Sequence, residues 1–436
     1  MRMRMRTRTR TTAKILTTNL TKPQMIANKK VAVVMIVKNE ESVIARAIES
    51  VKPIADLFII SDTGSTDNTS LVLMDLFNSY EFRGTMRRFY SDNWVNFAHN
   101  RNKALDHFHE YAFYLNLDLS EWLVLSMDAD DQLVFIAEDD SDATTEEPTI
   151  GISPANANVV SIDYKLKNLV YSRPSMVGDT NNWRWEGPVH EYLAYTANKD
   201  RLVHGSLTGA FMLASSSEGA RSIDPDKYLK DALLLEAALA DDPGNKRNQF
   251  YLARSYHDHY RMLCAAGTEG RLPILVKATN AYALRAKKSD APDTFEEERW
   301  YAQYMAAVLS RNLTEMLDVV SQRPHRAEAA LDGSVMAEEQ GKQGLALMLA
   351  ILAVEASSLT HRDILFVDSS AYGLRSFDRL GTVAYYSGFY ELGMSAVKWC
   401  IDYAKNCVSV PEADSARFLV NLEFYNKKIQ ETFPTK

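Results

Sequence analysis

A chain of 436 residues with 46% hydrophobic and 24% charged residues exceeds what one core supports and has the composition of a folded globular protein, so two domains are expected. Its net charge of −8 combines +9 from residues 1–30 with −17 from the rest, and residues 104–164 hold fourteen Asp and Glu with no Lys or Arg. Such acidity repels phosphate unless a metal intervenes, which argues against direct nucleic-acid binding. No apolar run reaches the ~18 residues that span a bilayer.

The opening "MRMRMRTRTRTT" is basic and lacks an apolar segment, so it does not read as a secretory signal. Residues 1–28 are expected to be a disordered extension, with a polyanion-binding arm as the other reading. Only Cys264, Cys400 and Cys407 are present, which suits a reduced, cytoplasmic compartment and offers no metal cluster.

From residue 29 the pattern alternates between apolar β-rich runs and helical periodicity. "KKVAVVMIV" (29–37) predicts a strand and "ESVIARAIESV" (41–51) a helix. "DLFIISD" (56–62) and "TSLVLMDLFNSY" (69–80) repeat the pair. "MRRFYSD" (86–92) precedes the helix "NFAHNRNKALDHFHEY" (96–111), and "EWLVLSMD" (121–128) is a fourth strand. This alternation implies right-handed crossovers and an α/β fold with a mostly parallel sheet covered on both faces.

The acidic, Ser/Thr/Pro-rich stretch at 137–158 reads as an exposed loop. Short alternating runs from 158 to 213 suggest a smaller mixed β layer. After Pro225, "PDKYLKDALLLEAALADDPGNKRNQFYLARSYHDHY" is a helix, a Pro-Gly turn and a second helix, and helical segments continue to the end. Hairpins of this length are similar to degenerate tetratricopeptide repeats, in which stacked neighbours bury each other's apolar faces. The boundaries expected are 29–220 for the α/β domain and 221–436 for the helical one.

In open α/β sheets, ligands bind beyond the carboxyl ends of the strands. Asn39 and Glu40 follow the first strand, Asp62 to Thr66 the second, and Asp128 to Asp131 the fourth, so three polar clusters should share one rim. In "WLVLSMDADDQL" three aspartates fall within four positions, where like charges raise one another's pKa unless a cation offsets them. Asp128 and Asp130 alternate along an extended segment and can face one ion. A hard divalent cation such as Mg²⁺ takes one or two carboxylates plus substrate phosphates. In "SDTGSTDNTS", Gly64 to Asp67 suit a capped turn, whereas Asp62 has no evident capping role and suits a base N–H or ribose hydroxyls. No dinucleotide fingerprint or P-loop is present. "WRWEGPVHEYL" (183–193) pairs two tryptophans with His190 and Glu191; Trp185 could face a sugar and Glu191 act as a general base, or the tryptophans could be core. His204 stands alone after a short run.

The succession "MIVKNEESVIARAIESVKPIADLFIISDTGSTDNT", "FAHNRNKAL", "LSMDADD" and "GPVHE" over about residues 30–215 resembles family 2 glycosyltransferases of the GT-A, Rossmann-like fold. With the helical tail, the architecture is similar to peptide glycosyltransferases of the sublancin type. The resemblance implies a nucleotide-sugar donor, UDP-linked, contacted by Asn39, Glu40, Asp62, Arg101, Asp128, Trp185 and His190. It implies Mn²⁺ or Mg²⁺ held by Asp128, Asp130 and His204, and Glu191 as catalytic base in an inverting transfer to a hydroxyl or thiol acceptor. The acceptor, a peptide, saccharide or other molecule, is not legible, and the helices could pair two copies of the chain. Two alternatives remain: a catalytically inactive nucleotide-sugar-binding scaffold, and a sugar-phosphate nucleotidyltransferase. The latter needs a Gly-rich basic loop after the first strand, where "VKNEES" has two acids and no glycine.

Overall fold

The computed structural model describes residues 26–79, 82, 85–136, 150–166, 169–214, 219, 221, 224–288, 295–359, 363, 365–407 and 410–432. The chain divides into two compact units, Met1–Leu234 and Leu235–Lys436, and the division falls within one helix (Lys227–Asp241).

In the first unit, strands β1 (Lys30–Val37), β2 (Leu57–Asp62), β3 (Met86–Ser91) and β4 (Trp122–Ser126) pair in parallel in the order β3-β2-β1-β4. Helices α1 (Ile44–Val51), α2 (Thr69–Asn78) and α3 (Phe97–Tyr114) connect them. β1 is apolar almost throughout because both its faces are buried. Val31, Val33, Met35 and Val37 pack with Ile44, Ile48, Leu73 and Phe77, while Ala32 and Val34 pack with Ala104, Leu105 and Phe108 of α3. The expected parallel sheet covered on both faces is observed. Ile26, within the segment expected to be disordered, is fully buried against this core, and residues 1–25 lie outside the described ones.

The sheet does not stop at β4. Strand β5 (Gln132–Phe135) is followed by β6 (Gly151–Ser153), β7 (Val159–Leu166) and β8 (Leu169–Val177). β9 (Trp183–Glu186) and β10 (Tyr192–Tyr195) form a separate hairpin, then come β11 (His204–Thr208) and β12 (Ala210–Leu213). The order continues β4-β8-β7-β11-β6, with β8 antiparallel to β4 and β12 joined to β5 and β7. The smaller β layer expected from 158 onward is instead an extension of the main sheet, and β6 lies inside the stretch expected to be loop; residues 137–149 are outside the described ones.

From residue 227 the described elements are helices α4 (Lys227–Asp241), α5 (Lys246–Ala265), α6 (Leu272–Ala286), α7 (Glu296–Ser310), α8 (Leu313–Gln322), α9 (Ala327–Glu339), α10 (Gln343–Ser358), α11 (Leu374–Tyr386), α12 (Tyr390–Asn406) and α13 (Glu412–Thr432), with short 3₁₀ turns between some. Trp300 of α7 is fully buried and its indole N–H reaches Val319 O of α8 at 3.1 Å. Toward the end, Tyr425 of α13 donates its hydroxyl to Gly381 O of α11, and a Cβ on Gly393 would collide with that hydroxyl. Small residues thus let three helices close on one tyrosine, as expected for helical hairpins that bury each other's faces. No helix among the described residues is long and apolar enough to cross a membrane.

Candidate active site

Parallel register aligns the strand ends: Val37 lies opposite Asp62, and Asp62 opposite Ser91. The loops after β1 and β2 are then zipped together. Asn39, at φ 58°, accepts Thr66 N at 2.7 Å through Oδ1 and donates its backbone N–H to Ser65 Oγ at 3.0 Å. Glu40 N donates to Thr69 Oγ1 at 2.7 Å. Asp62 does have a capping role, contrary to expectation: Oδ1 accepts Gly64 N and Ser65 N at 3.0 and 2.8 Å, and Oδ2 accepts Ser70 Oγ at 2.8 Å. The turn this requires has Gly64 at φ 99°, which a side chain would resist. Asn39 and Asp62 therefore build the rim itself, and Asp62 Oδ2 makes one of these bonds where Oδ1 makes two.

The aspartates after β4 meet two arginines that are remote in sequence. The buried side of α3 carries Ala98, Ala104, Leu105, Phe108 and Ala112 together with the polar Asn100, Arg101 and His107. The Arg101 terminal nitrogen holds Asp128 Oδ1, and its Nε donates to Glu191 Oε1 at 2.7 Å. The second arginine arrives through register. β8 runs antiparallel to β4 with Leu125 opposite Met176, so three residues onward from Leu125 and three back from Met176 bring Asp128 and Arg173 together. Arg173 Nη2 lies 3.5 Å from Asp128 Oδ2 and 3.7 Å from Asp131 Oδ2.

The two neighbouring carboxyls are driven apart in character. Burial opposes the Asp128 charge, but Arg101 and then Arg173 outweigh it and hold the carboxyl at about 2. Asp131 is only 4% exposed, and burial followed by the Asp128 charge pushes its carboxyl up to about 8. Its Oδ2 is buried without a hydrogen bond. Asp130 lies beneath Gly219, where a Cβ would fall 2.8 Å from Asp130 Oδ2. The cation expected to offset the aspartates is thus supplied in large part by Arg101 and Arg173.

Glu191 comes from the β9–β10 turn, which α3 fixes in place. Asn102 pairs with the Trp185 backbone in both directions, donating to its O at 2.9 Å and accepting its N–H at 2.8 Å. Phe97 N donates to Pro188 O at 3.2 Å. Gly187 at φ 93° and His190 at φ 53° make the turn that returns Glu191 toward Arg101. Trp185 lies 5.0 Å from the Arg101 guanidinium, while Trp183 is buried core with its indole N–H on Gly178 O. Trp183 is thus core, whereas Trp185 lies against the rim arginine. His190 is exposed on the same turn.

Asn39, Glu40, Asp62, Asp128 and Asp130 fall at the strand ends or on the loops after them, Trp185, His190 and Glu191 on the α3-anchored hairpin, and Arg101 on α3 itself, where it joins Asp128 to Glu191. His204 lies elsewhere, and its assignment as a metal ligand is corrected. It opens β11 opposite Val159, which faces Val177, which faces Val124, so it stands three strands from β4 and at the amino end. Strand spacing alone separates it from β4 by roughly 14 Å. Among the described residues no group of three His, Cys, Asp or Glu is arranged to hold a metal ion. Asp128 and Asp130 do fit the smaller set of one or two carboxylates that a hard cation takes alongside substrate phosphates, and the orphaned Asp131 oxygen shows that polar capacity remains beside them. Arg173 was missed, and Asp131 was placed on the rim without a character of its own. "VYSRPSM" shows an arginine between a serine and a proline, and only the β4–β8 register reveals what it faces.

Residues 32–135 match the family model described as Glycosyl transferase family 2. No curated protein sequence matches the chain. The crystal structure of BtubC (BKLC) from P. vanneervenii is 14% identical, with TM-score 0.37 over 48% of this chain and 84% of that one. TTC0263, a thermophilic TPR protein in Thermus thermophilus, is 15% identical, with TM-score 0.22 over 45% of this chain and 91% of that one. Scores this low establish no shared fold.

Proposed function

We propose that this chain, whose residues 32–135 match the family 2 glycosyltransferase model, is a glycosyltransferase that moves a sugar with inversion from a UDP-sugar to a hydroxyl or thiol acceptor. The observation that carries the proposal is the bridge made by Arg101, which joins the strand-end carboxylate Asp128 to Glu191 on a separate turn. A donor-holding carboxylate and a candidate base thus share one rim, as bond-making opposite a leaving group requires.

In this reading Glu40 and Asp62 receive the base and ribose, Asp128 the ribose side, and Trp185 and His190 flank the sugar. Glu191 takes the proton from the acceptor O–H or S–H as that atom attacks the anomeric carbon. The bond from that carbon to the diphosphate oxygen breaks on the opposite side. Mn²⁺ or Mg²⁺, held by Asp130 together with Asp128, would supply Lewis-acid stabilisation of the departing diphosphate. Arg101 stays charged throughout, because Asp128 and Glu191 outweigh the cost of its burial and raise its pKa.

A thermal-shift panel of UDP-, GDP-, ADP- and CMP-sugars with and without Mn²⁺ tests the donor. The expected result is stabilisation by a UDP-sugar that largely disappears in EDTA. No response to any nucleotide-sugar would contradict the reading.

A further inference from the structure

Arg173 has no part in the roles above, yet it is the more exposed of the two rim arginines. Its side chain is 43% accessible, against 10% for Arg101, whose nitrogens are committed to Glu191 and Asp128. Its guanidinium lies 4.2 Å from the Tyr164 ring centroid and donates to Tyr164 Oη at 3.1 Å, so the head is braced by one tyrosine.

The contacts in front are loose. Charge-assisted N–H···O bonds run about 2.7–2.9 Å, whereas Arg173 stands 3.5 Å from Asp128 and 3.7 Å from Asp131. Asp131 Oδ2, buried and facing that guanidinium, has no hydrogen bond at all. A purely structural arginine would be expected to close on these carboxylates in the short, forked geometry its donors allow. This one offsets the Asp128 charge without closing on either carboxyl, and its side chain stays accessible. A planar fork of this kind suits phosphate oxygens better than an ammonium does.

We propose that Arg173 is a diphosphate-binding residue, held on Asp128 and Asp131 before the donor arrives and turned to its phosphate oxygens when it binds. The inference rests on the reading of the rim as a nucleotide-sugar site and deepens it by naming the residue that takes the diphosphate charge.

The test is calorimetry with inorganic pyrophosphate and with UDP, each in Mn²⁺, on the full chain and on Arg173→Gln and Arg173→Met. The methionine keeps an apolar stem over Tyr164 and guards against a folding defect, which melting curves would reveal. Losing one charge-assisted contact should weaken both ligands about 10- to 100-fold. Mn²⁺ alone should bind the variants at least as tightly as the parent, because a positive charge has been removed. Parent-like pyrophosphate and UDP affinity in a folded variant would overturn the role of Arg173 and leave the nucleotide-sugar reading standing. Failure of the unaltered chain to bind either ligand would overturn both.

Discussion

Arg101 Nε donates to Glu191 Oε1 at 2.7 Å while the same guanidinium holds Asp128, so one side chain of α3 ties two separate loops to a common rim. Removing one partner from a buried ion pair leaves its carboxylates uncompensated, at a cost of about 3–5 kcal/mol in fully buried cases. Asp128 keeps 40% exposure, so Arg101→Leu should cost about 3 kcal/mol, the low end of that range, in chemical denaturation. Arg101→Lys should fold better but lose turnover, because one ammonium cannot reproduce the fork. Normal turnover in the lysine variant would show that the bridge has no part in catalysis.

Glu191→Gln keeps the shape of the turn and removes the base. Turnover should fall about 10²- to 10⁴-fold, the usual share of general acid–base catalysis. UDP affinity should change little, since the proposal puts this group on the acceptor side. Turnover within a factor of a few of the parent would remove Glu191 from the mechanism.

Asp131 supplies a pH dependence. Its carboxyl is raised from the ordinary range to about 8 by burial and by Asp128. A raised folded-state pKa gives stability that is fully present below the unfolded value near 3.8 and is lost as pH climbs to about 8. Asp131→Asn cannot titrate, so in metal-free buffer its melting temperature should gain on the parent progressively from about pH 4 to pH 8 and then level off. A difference independent of pH would contradict the assignment of a neutral, buried Asp131.

Much of the rim was legible because it depends on where strands end. The apolar runs that become β1, β2 and β4 stop within two residues of Asn39, Asp62 and Asp128, and parallel pairing aligns those stops. The relationships that the sequence hides all depend on long-range packing. Arg173 reaches Asp128 only through antiparallel β8, Arg101 lies on the buried side of a helix that gives no sign of its partners, and Asp131 becomes distinct from Asp130 only once burial is known. His204 failed for the same reason. A histidine after a short strand reads identically at either end of a sheet, and β11 places it at the amino end.

That correction is itself testable. His204→Ala should leave Mn²⁺-dependent UDP binding unchanged in calorimetry, since the residue is exposed and three strands from β4. A loss of metal dependence would return His204 to the site.

The most direct measurement is UDP affinity by calorimetry for the unaltered chain and for Asp130→Asn, each in Mn²⁺ and in EDTA. The rim as described gives tight binding in Mn²⁺ that weakens at least tenfold in EDTA for the unaltered chain, and weak binding in both buffers for the variant. Equal UDP affinity in all four conditions would contradict it, because the strand-end carboxylates would then have no hold on the diphosphate.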